Sequence, residues 1–325
     1  MRRFPQEADM NLTTRTVPRA TATIARSESP SSAASSAEIK RQLPGSESVP
    51  TRPMDFDRRI ADLPKYFAAD GDVVMSHVLA VLSSVFPDGE DFFVRSVRAA
   101  ADDITDPKLA KDVEGFIGQE SMHGREHRIL NDKLSELGYP THQIGQYVRV
   151  VTKFRERFQG RRANLAFTSA LEHYTASLAE TLLGHEEARQ EIGHPGFRYL
   201  LMWHALEESE HKAVAFDVYR GIGGGELMRQ VTMWLTHVTF VLETGAWAGI
   251  SLARDGYARR HPLQVAKSIW RLRRSPFTTK EATRQLFQYH KIGFHPNDRD
   301  TRELIATWRT KFFGPEGELI DVLAA

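Results

Sequence analysis

Apolar residues recur at three- and four-residue intervals over 73–86, 90–103, 108–137, 146–158, 163–187, 197–220 and 226–254. That spacing places them along one face of a helix, whereas the period-two alternation of strands is scarce. Pro87-Asp88-Gly89, Gly138-Tyr139-Pro140, Gly193-His194-Pro195-Gly196 and Gly223-Gly224-Gly225 fall between these runs and read as breaks. The pattern predicts an all-α chain, a four-helix bundle with additional helices, and shows no repeat of solenoid period.

The first fifty or so residues differ. They are rich in Ser, Thr, Ala, Arg and Pro and have almost no apolar periodicity, so they cannot bury enough surface to offset their ordering entropy. Residues 1–52 are read as a disordered tail, of which 1–50 are expected to be dispensable, and 53–325 as a single domain. The early arginines are not followed by an apolar core of signal-peptide length, and Glu7 and Asp9 weigh against an organelle presequence. The expected location is cytoplasmic. The stretch 230–253 is long enough to span a bilayer, yet His237, Glu243 and several threonines make spanning costly. It reads as a buried or interfacial helix.

Composition then removes whole classes of chemistry. The net charge of +1 gives no general electrostatic case for nucleic acid or an anionic membrane. With no cysteine there are no disulfides, iron–sulfur clusters or thiolate nucleophiles. A metal would have to be held by nitrogen and oxygen, for which 13 histidines suffice.

The densest chemistry lies in HALEESEH, residues 204–211. Its Glu208 and His211 form a Glu-x-x-His pair, as do Glu120 and His123 in FIGQESMHGREH. About one such match is expected by chance, and a third, Glu191 and His194, straddles Gly193 before Pro195 and is set aside as a loop coincidence. The other two sit in long apolar-periodic runs, where i and i+3 share a face. Glu90, after FPDG, and Glu172, whose same-face neighbours Thr168, Ser169, Thr175 and Ala176 are small, complete the set. One carboxylate from each of four helices, with imidazoles from alternate ones, is the ligand pattern of ferritin-like di-iron and di-manganese bundles. His204 falls within a sector of roughly 60° with Glu208 and His211 and joins them as a third imidazole. Glu207 flanks the same sector, so the choice between Glu207 and Glu208 stays open, as does a supporting role for His127. Glu210 points elsewhere and reads as solvated; Gln119 and Arg125 carry no assigned role.

The segments FPDGEDFFVRSVR, FIGQESMHGREHRILN, ALEHYTASLAETLL, WHALEESEHKAVAFDVY and YHKIGFHPNDRDTRELIATW resemble the bacterial family of predicted metal-dependent hydrolases, over roughly residues 55–315. The metal pattern is similar, more distantly, to di-iron arylamine N-oxygenases, which carry a histidine four residues before the last metal-binding glutamate, as His204 stands to Glu208. The resemblances imply a non-haem dinuclear centre of two iron ions, with manganese or zinc as alternatives. The leading expectation is an O₂-activating oxidoreductase acting on a small, apolar organic substrate. A metal-dependent hydrolase and a non-catalytic metal-binding protein are the alternatives. No dinucleotide fingerprint is present, so an oxidoreductase of this kind would draw electrons from a partner protein.

Overall fold

The computed structural model describes residues 49–324. The helices are α1 (Val73–Arg98), α2 (Pro107–Glu136), α3 (Thr141–Phe158), α4 (Arg161–Gly184), α5 (Pro195–His211), α6 (Val214–Gly221), α7 (Glu226–Arg254), α8 (Pro262–Leu272), α9 (Lys280–Phe287) and α10 (Arg302–Phe313), joined by turns and short helical segments. Among the described residues there is no strand, only one isolated bridge between Met54 and Leu323. The chain is all-α.

Local signals explain most of the boundaries. Asp72 and Asp106 cap α1 and α2 by accepting from the backbone N–H groups of Met75 and Lys108, which relieves unpaired donors of the first turn. Pro107 and Pro195 sit in the first turns of their helices, where a missing N–H costs nothing. Gly138 follows α2 with φ 93°, a left-handed conformation that glycine adopts without strain.

Two expectations need correcting. Pro87 does not end a helix: α1 runs through it as 26 residues. A mid-helix proline leaves the carbonyl four residues earlier without its N–H donor, here that of Ser83. Asn131 on α2 fills the gap, its Nδ2 donating to Ser83 O at 3.0 Å. The run 197–220 is likewise two helices, α5 and α6, separated at Lys212 and Ala213.

Of the tail read over 1–52, residues 1–48 lie outside the described residues. Residues 49–52, however, pack on the bundle, so the folded domain begins no later than Val49. Val49 is buried, and its backbone crosses α2 at Gly115, where a Cβ would lie 2.2 Å from Val49 O. One turn on, a Cβ at Gly118 would lie 2.0 Å from Thr51 Oγ1. Glycine at both positions makes the close approach possible.

The core falls into clusters. One gathers Phe56, Phe67, Leu130, Leu134, Trp203 and Phe312; a second gathers Phe92, Phe93, Phe116, Leu165, Val218 and Tyr219. The ionisable cluster described next is carried by the same helices, α1, α2, α4 and α5. Helix α7 packs with its N-terminal half on α4, through Met233, Tyr174 and Phe240. Its C-terminal half reaches α1 and α3 through Val81, Ile144 and Ala248. No helix among the described residues is long and apolar enough to cross a membrane.

Candidate metal centre

All seven residues singled out by spacing converge. Glu90 comes from α1, Glu120 and His123 from α2, Glu172 from α4, and His204, Glu208 and His211 from α5. Each is at most 4% exposed. Their donor atoms form three overlapping triplets, each within 4.8 Å: Glu90, His123 and His204; Glu120, His123 and Glu208; Glu120, Glu172 and His211. Because α1 continues through Pro87, Glu90 sits well inside the helix and faces this centre rather than opening a new element.

Each imidazole turns one nitrogen to the carboxylates and anchors the other. His211 Nε2 lies 3.1 Å from Glu120 and 3.4 Å from Glu172, while its Nδ1 is 2.8 Å from Gln119 Oε1. His204 Nε2 lies 3.0 Å from Glu208 and 3.6 Å from Glu90, while its Nδ1 is 2.8 Å from His127 Nε2. His123 Nδ1 lies 3.6 Å from Glu120, and its Nε2 is 3.1 Å from Glu207. A second partner of this kind fixes ring orientation and tautomer in metal-ligating histidines.

The geometry separates the glutamates of HALEESEH. Glu208 faces the cluster and accepts from Thr175 Oγ1. Glu207 faces away, accepting from Arg52 Nη1 at 2.8 Å and holding His123. Glu210 is not solvated, as the helical wheel suggested: it is 3% exposed, pairs with Arg52 and Arg309, and accepts from Gln119 Nε2. Gln119 therefore links Glu210 to His211. His127 is the partner of His204 and bonds Ser83 on its far side, 2.9 Å away. Arg125 donates to Met54 O, outside the centre. The rejected pair also lies elsewhere, with Glu191 accepting from Ser275 and His194 capping α5 beside Asp62.

The four central carboxylates differ from Glu207 and Glu210 in one decisive respect. Among the described residues, none of Glu90, Glu120, Glu172 and Glu208 has a Lys or Arg in ion-pair contact. Both oxygens of Glu90, Glu120 and Glu172, with His123 Nδ1 and His211 Nε2, make no hydrogen bond although fully buried. Such groups are costly unless something compensates them. Burial, reinforced by Glu120, pushes Glu90 well above the ordinary carboxyl range. Burial and Glu208 carry Glu172 up to about 8. Burial also opposes charge on Glu120 and Glu208, but the neighbouring imidazoles outweigh it and hold both below the usual value. Correspondingly, the carboxylates lift His211 well above its ordinary value and His123 to about 10, against the effect of burial. Protons on this cluster would compete with cations, as at any site whose ligands must be deprotonated. An oxygen-rich set with three nitrogens suits two divalent ions, so the residues present fit a dinuclear metal pair.

A cavity of about 130 Å³ leads to this centre. Glu90 stands in its wall, with Phe86, Phe92, Leu171 and Thr175 nearby, and its outer part lies between α3 and α7 at Tyr147, Glu243 and Trp247.

Residues 50–300 match the model of a family described as predicted metal-dependent hydrolases. The chain belongs to that family. No curated protein and no solved structure matches it, so the comparisons give no support to the likeness to arylamine N-oxygenases. As a family member, this metal-dependent hydrolase relative carries its candidate ligands within the matched span, from Glu90 to His211. Arg52, at its start, belongs to the same span. Arg309 lies just beyond it.

What spacing could not find were the supports. Arg52 and Arg309 reach the centre from 158 and 99 residues away in sequence, and no periodicity within α5 announces them. Gln119 did offer a signal: it immediately precedes Glu120 on a helix already marked by two ligands.

Proposed function

We propose that this protein is a dinuclear metal-dependent hydrolase acting on a substrate with an apolar moiety. The observation that carries the reading is the set of four buried carboxylates that, among the described residues, have no Lys or Arg in ion-pair contact, beside three imidazoles each anchored on its second nitrogen. Glu120 is shared between two triplets, and Glu208 approaches both His123 at 3.8 Å and His211 at 3.6 Å, so these two carboxylates would serve both ions; Glu90, His123 and His204 would hold one ion, Glu172 and His211 the other. Two bound divalent ions would supply Lewis acidity and make water a stronger acid.

The chain's own residues supply the rest. Glu90 is the ligand candidate that lines the cavity, so its carboxylate is placed to accept a proton from water entering there. Phe86 and Phe92 exclude bulk solvent, which strengthens electrostatic interactions at the centre. Val81, Val85, Leu171 and Phe240 offer an apolar moiety a surface to bury.

A second reading, O₂-dependent oxidation, is favoured by the scarcity of polar groups at the cavity's inner end, where Glu90 and Thr175 stand among aromatic and aliphatic walls. Elemental analysis joined to two assays separates the two. About two ions per chain are expected, with chelator-sensitive hydrolysis of p-nitrophenyl acyl esters that is lost in Glu90→Gln. Reductant-dependent O₂ consumption without ester hydrolysis would replace the first reading by the second. At most one ion after metal supplementation would remove the dinuclear centre itself.

A further inference from the structure

Helix α7 turns most of its large apolar side chains outward. Against the body it buries four polar residues, Arg229, Thr236, His237 and Ser251, beside the apolar Met233 and Ala248. Its outward stripe is Leu227, Val231, Leu235, Val238 and Leu242, between 50% and 78% exposed. These recur at three and four residues and so form one continuous line, which Gly245, Ala246 and Gly249 extend without adding charge. Helix α3 continues the surface: Val150, Phe154 and Phe158 are 62–69% exposed, with Lys153 and Arg157 interleaved on the same side. The two helices meet at Tyr147, whose ring lies 5.7 Å from Trp247 and whose hydroxyl donates to Glu243 at 3.0 Å. Those three residues also line the outer part of the cavity that reaches Glu90. The apolar surface therefore borders the cavity wall at Tyr147, Glu243 and Trp247. Apolar patches of this extent mark places where something docks.

Charge decides between the occupants. Residues 254–284 contain nine Arg and Lys against two Asp and Glu, in a chain whose net charge is only +1. Within this segment, α8 exposes Leu263, Lys267 and Trp270, the turn after it exposes Arg274, and the guanidinium groups of Arg273 and Arg274 stand over the Trp270 ring. Helix α8 packs on the start of α1 through Ser268 and Asp72, beside the contact that α7 makes there through Ser251 and His77. Apolar stripes bordered by Lys and Arg, with Trp234 and Trp270 among them, are what an anionic lipid surface recognises. A two-fold pairing of two copies would instead bring like patches, and therefore like charge, together.

We propose that the outer faces of α7, α3 and α8 seat this protein on an anionic lipid surface, with that wall of the cavity facing the bilayer. Since no helix among the described residues is long and apolar enough to cross, the contact lies on the membrane plane. The docking stands on the surface alone; only its corollary, that an apolar substrate enters from the lipid, rests on the function proposed above.

The test is flotation of the full chain with phosphatidylcholine vesicles, pure or containing about one-third phosphatidylglycerol. Binding is expected to the anionic vesicles and to weaken with salt. Leu235→Glu with Leu242→Glu, and separately Lys267→Glu with Arg274→Glu, should each lower the partition coefficient at least about tenfold, with metal content and circular dichroism unchanged. As a second readout on the unaltered protein, bilayer contact should shift tryptophan emission to the blue, with quenching by brominated acyl chains. Failure of the wild type to float, or variants that float as well as it does, would overturn the proposal. So would vesicle-indifferent protein that sediments as a dimer which the apolar variants dissociate. None of these readouts needs turnover, so a protein that floats but hydrolyses nothing leaves the docking intact and removes the function.

Discussion

Glu210 and Glu90 are both buried glutamates in contact with the same cluster's neighbourhood, yet opposite outcomes are expected on neutralising them. Glu210 receives Arg52 and Arg309; Glu210→Gln leaves those cations short of a partner and should destabilise the chelator-treated protein by about 1–3 kcal/mol. Among the described residues Glu90 has no Lys or Arg in ion-pair contact, and it is pushed up by burial and by Glu120. Glu90→Gln should therefore leave the metal-free protein at least as stable as wild type while its metal retention falls at least about tenfold. Urea unfolding with and without chelator reads both, and a loss of metal-free stability at Glu90 would mark it as structural. Glu191→Ala and His194→Ala should change neither metal content nor metal spectrum, since both residues are engaged at the other end of α5; loss of metal in either would mean that the wrong Glu-x-x-His was discarded. The five central residues of α2 and α5 were legible because i, i+3 and i+4 spacings fix a shared helical face; Glu90 and Glu172 were legible only as the carboxylates that complete the four-helix order, Glu172 among small neighbours. Glu210 was misread for the converse reason: a wheel gives direction, but which chain covers that direction depends on residues such as Arg52 that are remote in sequence.

At the level of whole helices, the sequence marks boundaries by glycine and proline, and two cases show where such signs mislead. Pro87 reads as a break, but a partner helix carrying Asn131 supplies the donor that the proline lacks. Tertiary contact overrides local propensity. Gly115 and Gly118 give no sign in a hydrophobic pattern that another segment must lie against them, and their meaning appears only when residues 49–52 are seen crossing α2. Gly118→Ala is expected to displace Thr51, and with it the Arg52 ion pairs, at a cost of about 1–3 kcal/mol. Thermal unfolding of the metal-free variant checks the cost. A change below the error of the measurement would mean that the crossing segment contributes little to the fold.

Across the whole molecule, all-helical architecture and the four helices that carry the centre were readable from periodicity, whereas the packing of α7, α8 and residues 49–52 was not, because an amphipathic helix with its apolar stripe outward has the same period as an ordinary one. The junction of α1, α7 and α8 gives this assembly a distinct acid response. Burial holds His77 down to about 4, against an ordinary 6.5. Between those values the unfolded chain binds a proton that the folded one does not, so stability is full above about pH 6.5 and declines as pH falls toward 4. The loss is at most about 3 kcal/mol. Asp255, opposed by burial but held down to about 2 by Lys65, the Ala258 N–H and Tyr66, extends the decline: its contribution is present above about pH 3.8 and is lost as pH falls toward 2. Denaturant unfolding at a series of pH values should show the first segment flattened in His77→Gln; an unaltered slope would assign the acid response to other groups.

The segment that crosses α2 also ties residues 49–52 to the centre. Arg52 holds Glu207, and Glu207 holds His123, so the geometry offered to a cation depends on whether this segment is seated. Coupling of that kind is reciprocal. Filling the centre must then tighten residues 49–54 by the same free energy with which their seating sharpens metal affinity, and amide exchange across that short stretch becomes a gauge of occupancy read from outside the site.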